Sequence, residues 1–577
     1  VNGRRVGADE LTPGWTDYRF RTAYQAYDVT EFPTPGRNAI GAIVADGWWS
    51  GCVGWDSRHH GRHYGIRPQL LAQIVVDHAD GRRTVVGTDA EWRERMGPVR
   101  YADLLMGESY DARLGLGDWS APTYDAAGWA PALASTVDYS QLVPTQAQPV
   151  QVTEELAPVN IDRRAEDRWI VDFGQNIAGR VRITMRDAPA GTRIRLRHGE
   201  MLDNGELYTA NLRSAEATDY YACAGAVEET YEPAFTVHGF RYVEITGHEV
   251  AQIVALALHS DTPVAGEFDC SDAGVNQLMS NIQWGQRGNF VSVPTDCPQR
   301  DERLGWTADA QVFLPTACYN ADVMPFFANW LADLGCAQEN NGALPDVAPH
   351  LVTERSASPA WGDAATIVPW HLYRVYGDDR PLAAALPMMR RWVDFVHRYN
   401  PDLIWRNRAG RNYGDWLQVG VETPRDVVAT AYFAHSAGLV ARAAEVLGDT
   451  PTVRQYAELR DRIVAAFNTE FVSDNGRITG DTQTAYVLAL AFDLLPDATK
   501  PLAVARLVED VERRDRSITT GFLGVSLICP ILARYGNADL AYALLHDDRY
   551  PSWGYSIKHG ATTVWERWDG WTEDGGF

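Results

Sequence analysis

Near Asp272 the spacing of apolar residues changes period, and this change constrains the fold more than any other feature of the chain. Before it, runs such as "YRFRTAYQAYDVT" and "QIVVDHADGRRTVVGT" alternate apolar and polar residues between Gly, Pro and Asp turns, the period-2 signature of strands. After it, "DVMPFFANWLADLGCA", "RPLAAALPMMRRWVDFVHRY" and "VVATAYFAHSAGLVARAAEVLG" repeat apolar residues at i, i+3, i+4 and i+7, the signature of helices. With 577 residues the chain is too long for one core. The β part divides again, because "LASTVDYSQLVPTQAQPVQV" (133–152) is rich in Ser, Thr, Gln and Pro and reads as a linker. The expected organisation is therefore multidomain: a β-sandwich over 1–135, a second over 148–262, and an all-α domain over 266–577. Roughly eleven helical segments joined by short turns make antiparallel neighbours. Such a train can close into a ring whose loops collect at one mouth.

Charge and cysteine usage exclude several function classes. A net charge of −24 argues against nucleic acid or an anionic membrane as the main partner. No apolar run reaches the roughly 18 residues that a membrane-spanning helix needs. The seven cysteines are scattered, with no CxxC pair and no Cys/His cluster at zinc spacing, so reduced thiols and no metal are expected. The stretch "DHADGRRTV" lacks the ligand spacing of a calcium loop, and no cofactor is expected. Reduced thiols lean the compartment toward the cytoplasm. The chain starts inside a strand-rich unit at "VNGRRVG" without Met, so a lost leader leaves the localisation open.

The candidate chemistry lies in "VPTDCPQRDERLGWTADAQVF", which gathers Asp296, Arg300, Asp301, Glu302, Arg303 and Asp309 in apolar, aromatic surroundings. If a helix begins near Arg300, then Glu302, Trp306 and Asp309 fall within about 60° of one another on the helical wheel. Neighbouring carboxylates beside an aromatic ring raise at least one pKa, which keeps a carboxylic acid protonated for general-acid work. The plainer reading of a charge run is a solvated face, and Leu304, Trp306 and "VFLP" weigh against it. A second candidate is Glu566, between Trp565 and Trp568 in "HGATTVWERWDGW". Twelve of the twenty tryptophans lie after residue 270, and Trp361 in "WGDAA" and Trp416 in "YGDW" neighbour Asp363 and Asp415. Tryptophan beside acid suits a sugar, whose C–H faces stack on rings while its hydroxyls meet carboxylates.

These motifs carry a resemblance. "DCPQRDERLGWTADAQ" closely resembles the signature of the bacterial α-L-rhamnosidases of glycoside hydrolase family 78, and "GATTVWERWDGW" looks like their second catalytic segment. "NGRRVG…LTPGWTDY…YDVT" and "DFGQNIAGRVRI…RHGE…HGFRYVEITG" resemble the β-sandwich modules that precede the family's barrel. The resemblance implies an (α/α)6 toroid that hydrolyses terminal α-L-rhamnosides with inversion and without a catalytic metal. It implies Glu302 as general acid and Glu566 as general base. Asp296, Arg300 and Asp309 would hold sugar hydroxyls, Trp306, Trp361 and Trp416 would line the pocket, and Asp363 and Asp415 would stand at its mouth. The partner would be a rhamnose-containing glycoside, and a homo-oligomer is allowed. In the family a further helix and a small β-sandwich follow the point where "TEDGGF" ends this chain, so a piece truncated at both ends, with a loosened ring, is expected.

Three rivals remain at this stage. Another inverting glycosidase, or a phosphorylase, could use the same toroid; a phosphorylase should bring a basic phosphate site near Glu566, where only Lys558, His559 and Arg567 stand. The third is a carbohydrate-binding fragment impaired in catalysis. The β modules themselves read more simply as packing elements than as sugar binders.

Overall fold

A computed structural model describes residues 1–55, 61–353, 357–406 and 410–572. The chain divides into two compact units: Val1–Asp261 with Arg287–Ser292 and Cys297–Arg303, and Thr262–Gln286 with Val293–Asp296 and Leu304 onward.

The first unit is built on a ten-stranded sheet whose spine is the 19-residue strand Arg168–Arg186. It pairs antiparallel with Asn160–Ala165, Glu228–Tyr231, His238–Thr246 and Val250–Ser260. Alternation explains much of its burial: Val171, Phe173, Val181, Ile183 and Met185 are buried, as are Ile194, Leu196, Val243 and Ile245 of other strands of the same sheet. A register shift between Asp172 and Ile177 bends the spine, and Gly174 takes the positive φ this requires (75°). Two findings differ from the linker-and-two-modules expectation. Gly107–Asp111 runs parallel to Thr218–Ala222 in the same sheet, so strands from both sides of the 133–152 stretch share it. Within that stretch Leu142–Pro144 pairs with Thr22–Tyr24, and Val150–Leu156 joins the large sheet. Pairings across a hundred residues leave no trace in local composition.

Arg180, 2% exposed, reaches Glu10 at 3.1 Å and Glu232 at 2.6 Å. Nearby His198, Asp219 and His238 are fully buried, with His238 Nε2 3.2 Å from Asp219. The two imidazoles stack at 4.2 Å with planes 25° apart, so one ion cannot lie in both ring planes and the trio is a poor metal cage.

The second unit holds twelve helices among the described residues, from Ala273–Asn289 to Trp553–Lys558, against roughly eleven expected from spacing. Trp553–Lys558, with six residues, is too short to show a period. Helices of two kinds alternate. Of the 22 residues in Arg425–Val446, sixteen are buried, while the partner Thr450–Phe471, equally long, buries six along one stripe. Gln483–Ala491 likewise buries eight of nine, and Lys500–Arg513 packs beside it with one apolar face. The helices Thr307–Asn320, Ala364–Tyr376, Arg425–Val446, Gln483–Ala491 and Phe522–Arg534 contact one another in series, and the last contacts the first. None of the described helices is long and apolar enough to cross a membrane.

Removing Arg180 tests how the first unit is held. Arg180→Met leaves buried Glu10 with only the exposed Arg5, at 2.9 Å, as its cation and should cost up to about 3–5 kcal/mol, read as a lower midpoint of the first unit's unfolding. Adding Glu10→Gln should recover part of the loss; an unchanged midpoint for Arg180→Met would refute the assignment.

Candidate active site

The opening motif is a loop rather than a helix. Asp296 N donates to Leu304 O (3.0 Å) and Leu304 N to Asp296 Oδ1 (2.8 Å), so two reciprocal bonds close a neck around residues 297–303. Arg303 takes a left-handed φ of 56°, which no helix tolerates, and the helix starts at Thr307 with Trp306 at its cap. The helical-wheel expectation for Glu302, Trp306 and Asp309 is thereby corrected. Only Asp309 is helical, in the first turn, where a carboxylate suits the positive end of the helix dipole. Gly305 explains the delayed start: a Cβ there would lie 2.1 Å from Ala348 O, and Ala348 N donates to Gly305 O at 2.9 Å.

Within the first unit, Glu302 is nearly buried and Oε2 accepts from Arg300 Nε at 3.1 Å and Arg213 Nη1 at 3.2 Å. Gly54 N donates to the Glu302 carbonyl (3.0 Å). Asp301 N donates to Leu212 O (3.3 Å), and the Ser214 hydroxyl donates to Asp301 Oδ2. The Arg303 guanidinium donates to the carbonyls of Leu104 (2.8 Å) and Val237.

Within the second unit, the three expected tryptophans surround one residue that the motifs did not single out. Tyr413 meets Trp361 at 4.4 Å, Trp416 at 6.0 Å and Trp306 at 6.2 Å between ring centroids, the last two edge-on. Its hydroxyl donates to Asp346 Oδ2 at 3.0 Å. Asp346 is placed by the helix start, for Thr307 N and Oγ1 both donate to its carbonyl (3.0 and 3.1 Å). Burial pushes the Asp346 carboxyl up to about 6, with the Ser358 and Tyr413 hydroxyls opposing. The Trp361 indole, 3% exposed, has an Nε1 donor with no hydrogen-bond partner among the described residues, the mark of a group that a ligand or water satisfies.

Glu566 is exposed, on a non-helical segment after Trp553–Lys558. That segment is pinned at both sides: Asn281 Nδ2 donates to Ala561 O (3.0 Å) and Tyr555 Oη to Trp571 O (2.8 Å). Trp568 Nε1 reaches Thr520 O at 3.5 Å, while Phe522 N donates to Trp416 O at 2.9 Å. The turn at 519–522 thus supports both the Glu566 segment and the loop carrying Trp416.

Comparison with known proteins decides the family. Residues 263–576 match the bacterial alpha-L-rhamnosidase 6 hairpin glycosidase domain, residues 1–154 the alpha-L-rhamnosidase N-terminal domain, and residues 162–260 the bacterial alpha-L-rhamnosidase concanavalin-like domain. The chain belongs to the bacterial α-L-rhamnosidases of glycoside hydrolase family 78. It is 47% identical over 583 residues to an alpha-L-rhamnosidase of Streptomyces avermitilis, covering all of this chain and 56% of that protein. It is 38% identical over 595 residues to one of Formosa agariphila, covering all of this chain and 63% of that protein. The chain thus spans less than two thirds of these relatives. The crystal structure of the Streptomyces avermitilis alpha-L-rhamnosidase complexed with L-rhamnose superposes with a TM-score of 0.96 at 46% identity, over all of this chain and 56% of that one. The native enzyme from Aspergillus terreus gives 0.94 at 33% identity, over all of this chain and 68% of that one. The multidomain arrangement, with N-terminal domains before a helical six-hairpin glycosidase domain, is therefore that of the family.

Two residues expected at the mouth of this rhamnosidase-family pocket are scaffold instead. Asp363 is fully buried and accepts from Ser436 Oγ (2.5 Å), Trp392 Nε1 (3.0 Å) and Ala360 N (2.8 Å). Asp415 is also buried and accepts from Thr484 Oγ1, Gly521 N (2.7 Å) and Leu523 N (2.8 Å). Burial raises the pKa of both. Their oxygens are engaged by protein donors. Asp346 and Tyr413 were missed because neither stands in a charge run. Tyr413 is nonetheless in the quoted "YGDW", two residues before the acid that was chosen.

Asp346 offers a test with a definite sign. Its folded pKa of about 6 lies above the ordinary 3.8, so folding retains a proton that the unfolded chain releases. The stability from this group is full below about pH 4 and is lost as pH rises to about 6, by roughly 2–3 kcal/mol. Asp346→Asn cannot ionise, so its melting temperature should gain on the parent's from pH 4 to 6 and run parallel above. A difference independent of pH would sink the assignment.

Proposed function

We propose that the chain hydrolyses terminal, non-reducing α-L-rhamnosides. The observation that carries this reading is the wall of Trp306, Trp361 and Trp416 gathered on Tyr413, with the Tyr413 hydroxyl on buried Asp346. Aromatic faces stack on pyranose C–H surfaces while a buried carboxyl and an unsatisfied indole N–H bond hydroxyls. The C6 methyl of rhamnose suits an aromatic wall better than the 6-hydroxyl of a hexose does, though such a wall rejects the hydroxyl only modestly. Likeness to the Streptomyces avermitilis enzyme, whose structure holds L-rhamnose, supports the sugar. By the same likeness the helical domain is inferred to be an (α/α)6 toroid and the preceding domains β-sandwiches.

The proposed mechanism is inverting and needs two carboxyls. Glu302 gives its proton to the glycosidic oxygen as the C1–O bond breaks, so the aglycone leaves as a neutral alcohol. Glu566 takes a proton from a water that attacks C1 from the opposite face of the oxocarbenium-like transition state. The product is β-L-rhamnose, and transfer of one proton from Glu566 to Glu302 through solvent restores the starting state. This chemistry requires the carboxyls about 6.5–9.5 Å apart, leaving room for the water. Asp296, Arg300 and Asp309 remain proposed contacts to the sugar.

The experiment is release of nitrophenol from p-nitrophenyl α-L-rhamnopyranoside with Glu302→Gln and Glu566→Gln as controls, and proton NMR of the first product formed. Turnover reduced about 10²–10⁴-fold by Glu566→Gln, and less by Glu302→Gln because nitrophenolate leaves with little need of a proton, is expected, with β-L-rhamnose appearing first. First appearance of the α-anomer would exclude inversion. Rhamnose binding without turnover in the parent would favour a catalytically impaired sugar-binding fragment.

A further inference from the structure

We propose that Arg213, in the β-rich first unit, is a positioning residue for Glu302, an inference that rests on Glu302 being the general acid. Four consecutive residues, Asn211 to Ser214, each address the catalytic motif or its immediate support. Asn211 Nδ2 donates to Glu200 Oε2 (3.1 Å), whose other oxygen accepts from Asn176 Nδ2 (2.8 Å). Leu212 O accepts from Asp301 N, and the Ser214 hydroxyl donates to the Asp301 carboxylate. Between them, Arg213 Nη1 reaches Glu302 Oε2 at 3.2 Å and Asp301 Oδ1 at 3.6 Å. Glu200 also feels the Arg300 charge, so both arginines on Glu302 belong to one network.

Stability does not account for Arg213. Its side chain is 46% exposed, and half-exposed ion pairs contribute little to folding. Its backbone, at φ 56° and ψ −113°, lies close to the first central position of a type II′ turn, where glycine is favoured and a side chain is strained. An arginine standing in a glycine conformation points to a task for the guanidinium.

The task follows from the chemistry of the acid. In the acid form that the proposed mechanism requires, an oxygen that accepts N–H bonds from two guanidiniums is the carbonyl oxygen rather than the hydroxyl, which assigns the transferable proton to Oε1. Arg213 and Arg300 thereby fix which oxygen donates and in which direction. No bond to substrate is required of Arg213. Its loss lets the carboxyl turn, and the penalty grows with the leaving group's need for a proton. An alkoxide needs that proton, whereas a nitrophenolate departs nearly without it.

The test measures kcat and KM of Arg213→Met and Arg213→Gly on methyl α-L-rhamnopyranoside and on p-nitrophenyl α-L-rhamnopyranoside, beside Glu302→Gln. Because general acids contribute about 10²–10⁴-fold, both Arg213 variants should lose about 10²-fold in kcat on the methyl glycoside, and less than about 10-fold on the nitrophenyl one. KM should be little changed, Arg213→Lys should restore part of kcat, and Arg213→Gly should melt no lower than the parent. Equal losses on both substrates, a loss confined to KM, or no loss would overturn the role of Arg213 while Glu302→Gln stays inactive on the methyl glycoside. Full activity of Glu302→Gln there would instead overturn the reading of Glu302, and the Arg213 role with it.

Discussion

Two hydrogen bonds between Asp296 and Leu304 close the loop on which the proposed chemistry depends. On one side of that neck the chain runs 297–303 and carries Glu302. On the other it passes Gly305 and Trp306 and becomes the helix Thr307–Asn320. The closure makes the loop's direction a matter of backbone geometry, which the Arg303 guanidinium reinforces by bonding four carbonyls, those of Leu104, Val237, Gln299 and Arg300. Main-chain oxygens do not titrate, so these four bonds hold at any pH at which the fold holds.

The large divisions of the fold were legible in the sequence because they are local. A period of two gives way to 3.6 near Asp272, and the last strand ends at Ser260 while the first long helix begins at Ala273. The motif tryptophans were legible for a similar reason: Trp306, Trp361 and Trp416 stand in short loops beside helices. What local patterns could not carry was distance in sequence. Asp346 reaches the helix start through pairing with residues 305–307, and its surroundings in "ENNGALPDVAPH" contain no period and no tryptophan. Strand Gly107–Asp111 joins Thr218–Ala222 across a hundred residues, past a stretch composed like a linker.

Burial misled in a second way. An acid beside a tryptophan looks the same in sequence whether it faces a ligand or closes a loop, and Asp363 and Asp415 do the latter. Asp415 accepts from two main-chain amides, Gly521 and Leu523, at the start of a helix, and Asp363 accepts from Ala360 and anchors the Trp392 indole. Buried carboxyls of this kind satisfy donors that would otherwise be stranded, and they hold a loop's shape without appearing at its surface. The helix expected near Arg300 failed for a steric reason instead, since Gly305 packs against the Ala348 carbonyl before the helix can begin.

The segment Cys297–Arg303 is counted with the β-rich unit although it lies within the stretch that matches the six-hairpin domain. The boundary drawn by sequence similarity near residue 263 is thus not the boundary drawn by contacts. Exchange of whole helical domains between relatives would separate Glu302 from Gly54, Leu104, Leu212, Arg213 and Val237. The portable piece of such a protein is not the helical domain alone but that domain together with the turns that grip the loop 297–303, and this limits how freely such modules can be recombined.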